Sequence, residues 1–227
     1  MIPLRDINPR NTFPAVNIFL IAVNVLVYLY QLTLPPRLGH QFMLHYAMIP
    51  GQLTDSFGHP GVPLLGLAPV FTSMFLHGGF MHLLGNMWFL GIFGDNIEDR
   101  LGHLRYLVFY LICGLGAAMA HFLTDPRSTI PVVGASGAIS GVLGAYMLLF
   151  PGRKVITLIP LLIVFFTVRL PAVVILGYWF VIQFVSGFAA LSGAPGPGVA
   201  WWAHIGGFVL GILLVKVFEQ PMRRARW

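Results

Sequence analysis

Apolar residues run nearly unbroken through residues 14–33, 80–97, 104–123, 136–150, 171–191 and 201–218, and charged and turn-forming residues gather between the runs. A helix needs about 20 residues to cross the hydrocarbon core of a bilayer, and most of these runs approach that length. The pattern predicts an all-α membrane protein, a single domain over residues 1–227 built as a bundle of six transmembrane helices. The connection 34–76 is rich in Pro and Gly yet carries Phe42, Met43, Leu44, Leu64, Leu65 and Phe71. A connection that apolar is expected to form a long loop lying in the membrane interface. Segment 155–168 is apolar but short, and Arg153, Lys154 and Arg169 bracket it. It is expected to be an interfacial or re-entrant cytoplasmic loop that does not cross.

Arg5 and Arg10 ahead of the apolar run 18–30 imitate a secretory signal. No small-residue cleavage site follows, only Tyr28, Tyr30 and Gln31, so the run reads as an uncleaved first span.

Composition agrees with this reading. The chain is 57% hydrophobic and 9% charged, against roughly 25% charged residues in soluble domains. So few charges cannot cover a water-soluble domain of 227 residues. The net charge of +6 could suggest nucleic acid, but the basic residues flank the apolar runs and form no stripe. With the N-terminus cytoplasmic, 11 of the 13 Lys and Arg residues fall inside, and only Arg37 and Arg127 outside. That orientation puts both termini in the cytoplasm. It turns the long loop and the starts of 136–150 and 201–218 outward. The single cysteine, Cys113, lies within a span and excludes an internal disulfide.

Polar residues inside spans are costly and mark function by default. Three groups stand out near outward helix ends. In Gly134-Ala135-Ser136-Gly137, Gly134 permits unusual backbone and Ser136 opens a helix. Amide hydrogens and the helix dipole there favour developing negative charge, as an acyl-transfer oxyanion requires. Taken alone, Ser136 also reads as a small cap-forming serine on the face Gly137-xxx-Gly141. His204 lies one turn into the last run, and its imidazole can serve as general base and acid. It also reads as a histidine satisfied by a carbonyl. Gly207-xxx-Gly211 gives its helix a matching small-residue face, which would let the two backbones approach.

The third group is His77, His82 and Asn86. His82 and Asn86 share a helical face and can donate hydrogen bonds to an oxyanion, while His77 precedes the helix and is expected to brace the long loop. Metal or haem ligation by His77 and His82 is the competing meaning. No carboxylate stands near to complete a zinc site, so no metal is assigned. Asp95, Glu98 and Asp99 fall at the inner end of their span, and Asp55 and Asp125 lie in outer loops. None can orient His204, which favours a Ser–His dyad over a triad. Glu98 is expected to pair with a neighbouring basic residue such as Arg100 or Arg105.

Together these elements resemble the rhomboid family of intramembrane serine proteases, of bacterial type. The resemblance rests on H-x4-H-x3-N at His77, His82 and Asn86, G-x-S-G at Gly134 to Gly137, and A-H-x-G-G at Ala203 to Gly207. The opening Met1-Ile2-Pro3-Leu4-Arg5-Asp6 is similar to that of many bacterial members. The resemblance implies a six-helix rhomboid bundle with Ser136 as nucleophile and His204 as base. It implies oxyanion binding by His82, Asn86 and the Ser136 amide, with His77, Gly134 and Gly137 supporting the site. The implied activity is endopeptidase hydrolysis, through an acyl-enzyme, near the outer end of single-span membrane-protein substrates. No metal or organic cofactor and no nucleic acid is implied. The implied location is a bacterial inner membrane, with the active site opening outward. Residues 192–199 would cap the site, and Trp179 and Phe180 would mark the side where a substrate helix enters.

Two positions depart from the family pattern: Ala68-Pro69 stands where many members have Trp-Arg, and Ser140 where some carry an aromatic that packs on the histidine. A non-catalytic rhomboid-like protein that binds transmembrane helices is the main alternative. A transporter or channel would favour membrane-embedded charges or paired broken helices, and neither is evident.

Overall fold

The computed structural model describes residues 1–58, 67–161, 164–192 and 198–220. Leu64 and Leu65 of the long loop, most of the expected cap at 192–199, and Arg223, Arg224 and Arg226 lie outside the described residues.

Six long helices dominate: α1 (Ala15–Thr33), α5 (Phe80–Leu101), α6 (His103–Thr124), α7 (Ser136–Leu149), α8 (Ala172–Leu191) and α9 (Trp201–Phe218). Four of them, α1, α6, α8 and α9, are long and apolar enough to cross a membrane. α7 is apolar but has only 14 residues. The last turns of α5 carry Asp95, Glu98, Asp99 and Arg100, which lowers its hydropathy. The exteriors of these helices are apolar: Leu26 on α1, Val185 on α8 and Leu213 on α9 are all well exposed. Water penalises such surfaces and lipid does not.

α7 is the axis of the bundle. Every residue from Gly137 to Tyr146 is buried, as expected of a helix without a polar face. α9 packs along it in parallel register. A Cβ on Gly207 would run into the Gly137 carbonyl oxygen, and one on Gly211 into the Gly141 carbonyl oxygen. Only glycine lets two backbones lie this close.

The connection expected as a long loop is folded instead. It contains α2 (Pro36–Tyr46), α3 (Pro50–Gly58) and α4 (Ala68–Thr72), followed by a 3-10 turn at Ser73–Phe75. α2 begins with Pro36 and α4 carries Pro69 in its first turn, where the missing N–H costs nothing. Met48 and Val132 exchange two backbone hydrogen bonds, of 3.2 and 2.8 Å, and Gly51 N–H donates to the Ser128 carbonyl at 2.8 Å. Met48, Leu53 and Val70 pack against Ala118 of α6. The segment is thus fastened to the bundle with Ala68-Pro69 at the start of α4.

Segment 155–168, expected as a loop, lies within an antiparallel hairpin of β2 (Lys154–Leu161) and β3 (Val164–Pro171). The N-terminal β1 (Ile2–Asp6) adds to β2, giving the order β1-β2-β3. The fold is therefore mostly helical and not all-α. The physical reason is local: Val155, Ile156, Thr157, Ile159, Val164, Phe165, Phe166 and Val168 are residue types that favour a pleated surface. Pro160 falls beyond the last β1 partner, Leu158, where β2 has one neighbour strand. The two ends of the hairpin meet, since Lys154 pairs with Pro171 and Ala172 N–H donates to the Arg153 carbonyl at 2.8 Å.

The acids of α5 hold the N-terminal segment. Asp99 accepts from the Thr12 N–H and hydroxyl at 2.8 and 2.7 Å, and Arg10 pairs with Asp95 at 3.0 Å. Glu98 pairs with a neighbouring residue as expected, but that residue is His103 and neither Arg100 nor Arg105. Glu98 is fully buried, accepts the Val16 and Asn17 amides at 2.9 and 2.7 Å, and pairs with His103. A carboxylate at the free amides of a helix start meets both the hydrogen-bonding and the dipole preference. Arg100 binds Glu219 instead, at 2.6 Å.

Candidate active site

Ser136 is the first residue of α7, and the chain reaches it through Gly134 at φ +122°. That backbone is open to glycine at little cost. It is also sterically required, because a Cβ there would lie 2.7 Å from Cε1 and Nε2 of His82 and 3.5 Å from Nδ2 of Asn86. The turn is pinned where Gly134 N–H donates to the Ser73 carbonyl at 2.9 Å. The first-turn amides of α7 have no intrahelical acceptor, so Ser136 stands where an anion is favoured.

His204 comes from α9, one turn in from its start. Its Nε2 lies 2.8 Å from Ser136 Oγ, although 68 residues separate the two in the chain. The close approach of α7 and α9 makes this distance short. Gly137 also lets α6 approach, for a Cβ there would stand 2.7 Å from the Ala117 Cβ of α6. A hydroxyl and an imidazole at this separation can exchange a proton.

His82 and Asn86, four residues apart on α5, face the turn at Gly134. His77 was expected to brace the long loop; its hydrogen-bond partners lie in α1 and α5. Its backbone is clasped to Gln31 of α1 by two hydrogen bonds of 3.1 Å. Its ring does something further: Asn86 Nδ2 donates to His77 Nε2 at 3.0 Å. Burial, with His82 beside it, lowers the His77 pKa to about 4. His77 is therefore neutral at ordinary pH and able to accept. That contact leaves the second Asn86 amide hydrogen for another acceptor.

Ser140 does not pack on the His204 ring. Its hydroxyl donates to the Ser136 carbonyl at 2.6 Å. The ring is flanked by Trp179 of α8, with centroids 5.9 Å apart and planes inclined by 35°, and by Trp201 edge-on at 6.3 Å. Its other nitrogen, Nδ1, lies 2.7 Å from Oε1 of Gln183 on α8. Sequence reasoning missed Gln183 because it sought a carboxylate partner. The available signal was a lone side-chain amide in an otherwise apolar 20-residue helix.

The Rhomboid domain profile matches residues 66–220, from just before α4 to just beyond α9. RHOMBOID-like protein 5 of Arabidopsis thaliana is 42% identical over 76 residues, covering 34% of this chain and 25% of that protein. YdcA of Bacillus subtilis (strain 168), provisionally named a rhomboid protease, is 38% identical over 76 residues, 34% of this chain and 38% of its own. Rhomboid protein 1, mitochondrial, of Saccharomyces cerevisiae is 28% identical over 229 residues, 96% of this chain and 56% of its own. The chain thus spans between about a quarter and about half of the length of these relatives. These likenesses and the four long apolar helices make the chain an integral membrane protein. With the domain profile covering most of its length, the chain belongs to the rhomboid family.

Proposed function

We propose that this protein is an intramembrane serine endopeptidase that cleaves single-span membrane proteins in or near their transmembrane segments. The observation that carries the reading is the 2.8 Å approach of His204 Nε2 to Ser136 Oγ at the start of a buried helix. In the proposed reaction the Ser136 oxygen attacks the scissile carbonyl carbon and its proton passes to His204 Nε2. The oxyanion is held by the Ser136 amide, His82 and Asn86. Collapse expels the amine, which takes the proton from His204, and leaves an ester on Ser136. Water then attacks the ester with His204 again as base, releasing the carboxylic acid and restoring the hydroxyl.

The six-span arrangement belongs to the same proposal, with α1, α5, α6, α7, α8 and α9 crossing. Both termini and the hairpin lie on the cytoplasmic side, and the site opens to the other. The distribution of Lys and Arg supports that orientation. The adjoining ends of the hairpin support an equal direction of crossing for α7 and α9. The relatives include a mitochondrial protein of yeast as well as a protein of Bacillus subtilis.

The test is cleavage of a test transmembrane substrate, with labelling by a serine-directed fluorophosphonate. Ser136→Ala and His204→Ala should each abolish both signals while the protein stays inserted and folded. If the wild type binds the substrate helix yet neither cleaves nor labels, the non-catalytic binding role replaces this one.

A further inference from the structure

The dyad leaves one ring nitrogen of His204 to be accounted for. Nδ1 meets Gln183 Oε1 at 2.7 Å, in a position where Gln183 is only 6% exposed. The amide's own orientation is set by its other end, because Gln183 Nε2 donates to the Trp179 carbonyl at 3.4 Å. The oxygen is therefore the atom turned toward the ring. A carbonyl oxygen only accepts, so the His204 proton resides on Nδ1 and Nε2 keeps its lone pair for the Ser136 hydroxyl. The same helix supplies Trp179, one turn earlier, against the ring's side.

We propose that Gln183 is a positioning residue for His204, selecting the tautomer whose Nε2 faces Ser136 and fixing the ring's orientation. The role rests on the dyad reading. It takes the place that a carboxylate holds in a Ser–His–Asp arrangement, with one physical difference. A buried carboxylate in an apolar helix carries a large desolvation cost, whereas a neutral amide avoids most of it. The amide orients the ring and supports the imidazolium by its dipole alone. The Ser136 hydroxyl of α7 and the titratable His82 of α5 and His121 of α6 face His204, and among the described residues no Asp or Glu hydrogen-bonds to the ring.

The test compares kcat, KM and the pH profile of the full-length protein in proteoliposomes. Gln183→Leu removes the acceptor and strands a buried N–H, so kcat should fall by about 10- to 100-fold, the loss seen when a partner that orients a metal-binding histidine is removed, with KM within about twofold. Gln183→Glu keeps an acceptor at the same reach and adds a negative charge. It should recover turnover relative to the Leu variant and move the acid limb of the kcat profile to higher pH, because an anion beside Nδ1 favours the imidazolium. A side chain at 183 that did not reach Nδ1 would not shift that limb. Wild-type kcat in Gln183→Leu, or an unshifted acid limb in Gln183→Glu, overturns the proposal. Should the Leu variant fail to fold, the Glu variant alone decides. Ser136→Ala separates the two levels: if it still cleaves, the dyad itself falls, and if it is dead while Gln183→Leu is fully active, only the positioning role falls.

Discussion

Replacing Gly207 with alanine adds one methyl group at the contact that brings the two halves of the dyad together. The new Cβ would overlap the Gly137 carbonyl oxygen, lie 3.1 Å from the Gly137 carbonyl carbon, and stand 3.3 Å from the Ala117 Cβ of α6. The obstacle is backbone on one side and another helix on the other, so no side-chain rotation relieves it. α9 must move away from α7 by on the order of 1 Å, since close-packed interiors have no slack to absorb a methyl. Ser136 is the immediate neighbour of Gly137, and His204 lies one turn before Gly207. The 2.8 Å contact between them would open toward about 4 Å, past useful hydrogen-bond range. Misplacement on that scale costs roughly 100-fold in turnover, and overpacking costs about 1–3 kcal/mol in stability. The assay is kcat on a transmembrane substrate alongside the melting temperature in detergent. Gly91→Ala on α5 is the control: among the described residues no neighbouring group stands within 4 Å of a Cβ there. It should leave kcat within about twofold and gain about 0.5–1 kcal/mol of helix stability. Wild-type kcat in a folded Gly207→Ala protein would refute the claim that glycine contact sets the dyad distance.

Asn86→Ala should lower kcat, by up to roughly 100- to 1,000-fold if it is a principal oxyanion donor, with KM little changed; a rise in KM alone would reassign it to packing. Cleavage should survive EDTA, and inhibition reversed by added zinc would restore His77 and His82 as ligands. In a Cys113→Ser background, Lys154→Cys and Arg169→Cys should both react only with reagent on the cytoplasmic side, because the hairpin returns to its start; labelling from opposite sides would break the parity that the dyad needs. Burial raises Asp6 from 3.8 to about 6 even though Tyr146 O–H donates to it at 2.7 Å. A carboxyl raised on folding stabilises below its unfolded value and loses that contribution as pH rises through the folded one. The melting temperature of Asp6→Asn should therefore gain on the wild type between about pH 4 and pH 7, and a gap constant with pH would count against a half-buried carboxyl whose charged form is disfavoured.

The candidate site shows where sequence stops and tertiary structure begins. Ser136 at a helix start, His204 one turn into another helix, and small-residue faces on both are local properties, written in the spacing of a few residues. So is the membrane character of the chain, because hydropathy acts residue by residue. The positive φ of Gly134 and the strand propensity of the hairpin were local too, although an apolar run between basic residues was read as a loop. Partners that arrive from elsewhere in the chain were a different matter. Glu98 caps the start of α1 from 81 or 82 residues away, and Gln183 meets His204 from 21 residues away across a helix interface. His77 spends its ring on Asn86 only because the chain turns back between them. Each is a polar group that must find an acceptor or donor once buried. Which one it finds depends on how helices settle against one another, and no local pattern records that. The sequence by itself determined which groups could do chemistry and on which kind of element each sits. The absence of a carboxylate partner was legible there too; only the packing of α8 against α9 decided that the Gln183 amide stands behind the histidine.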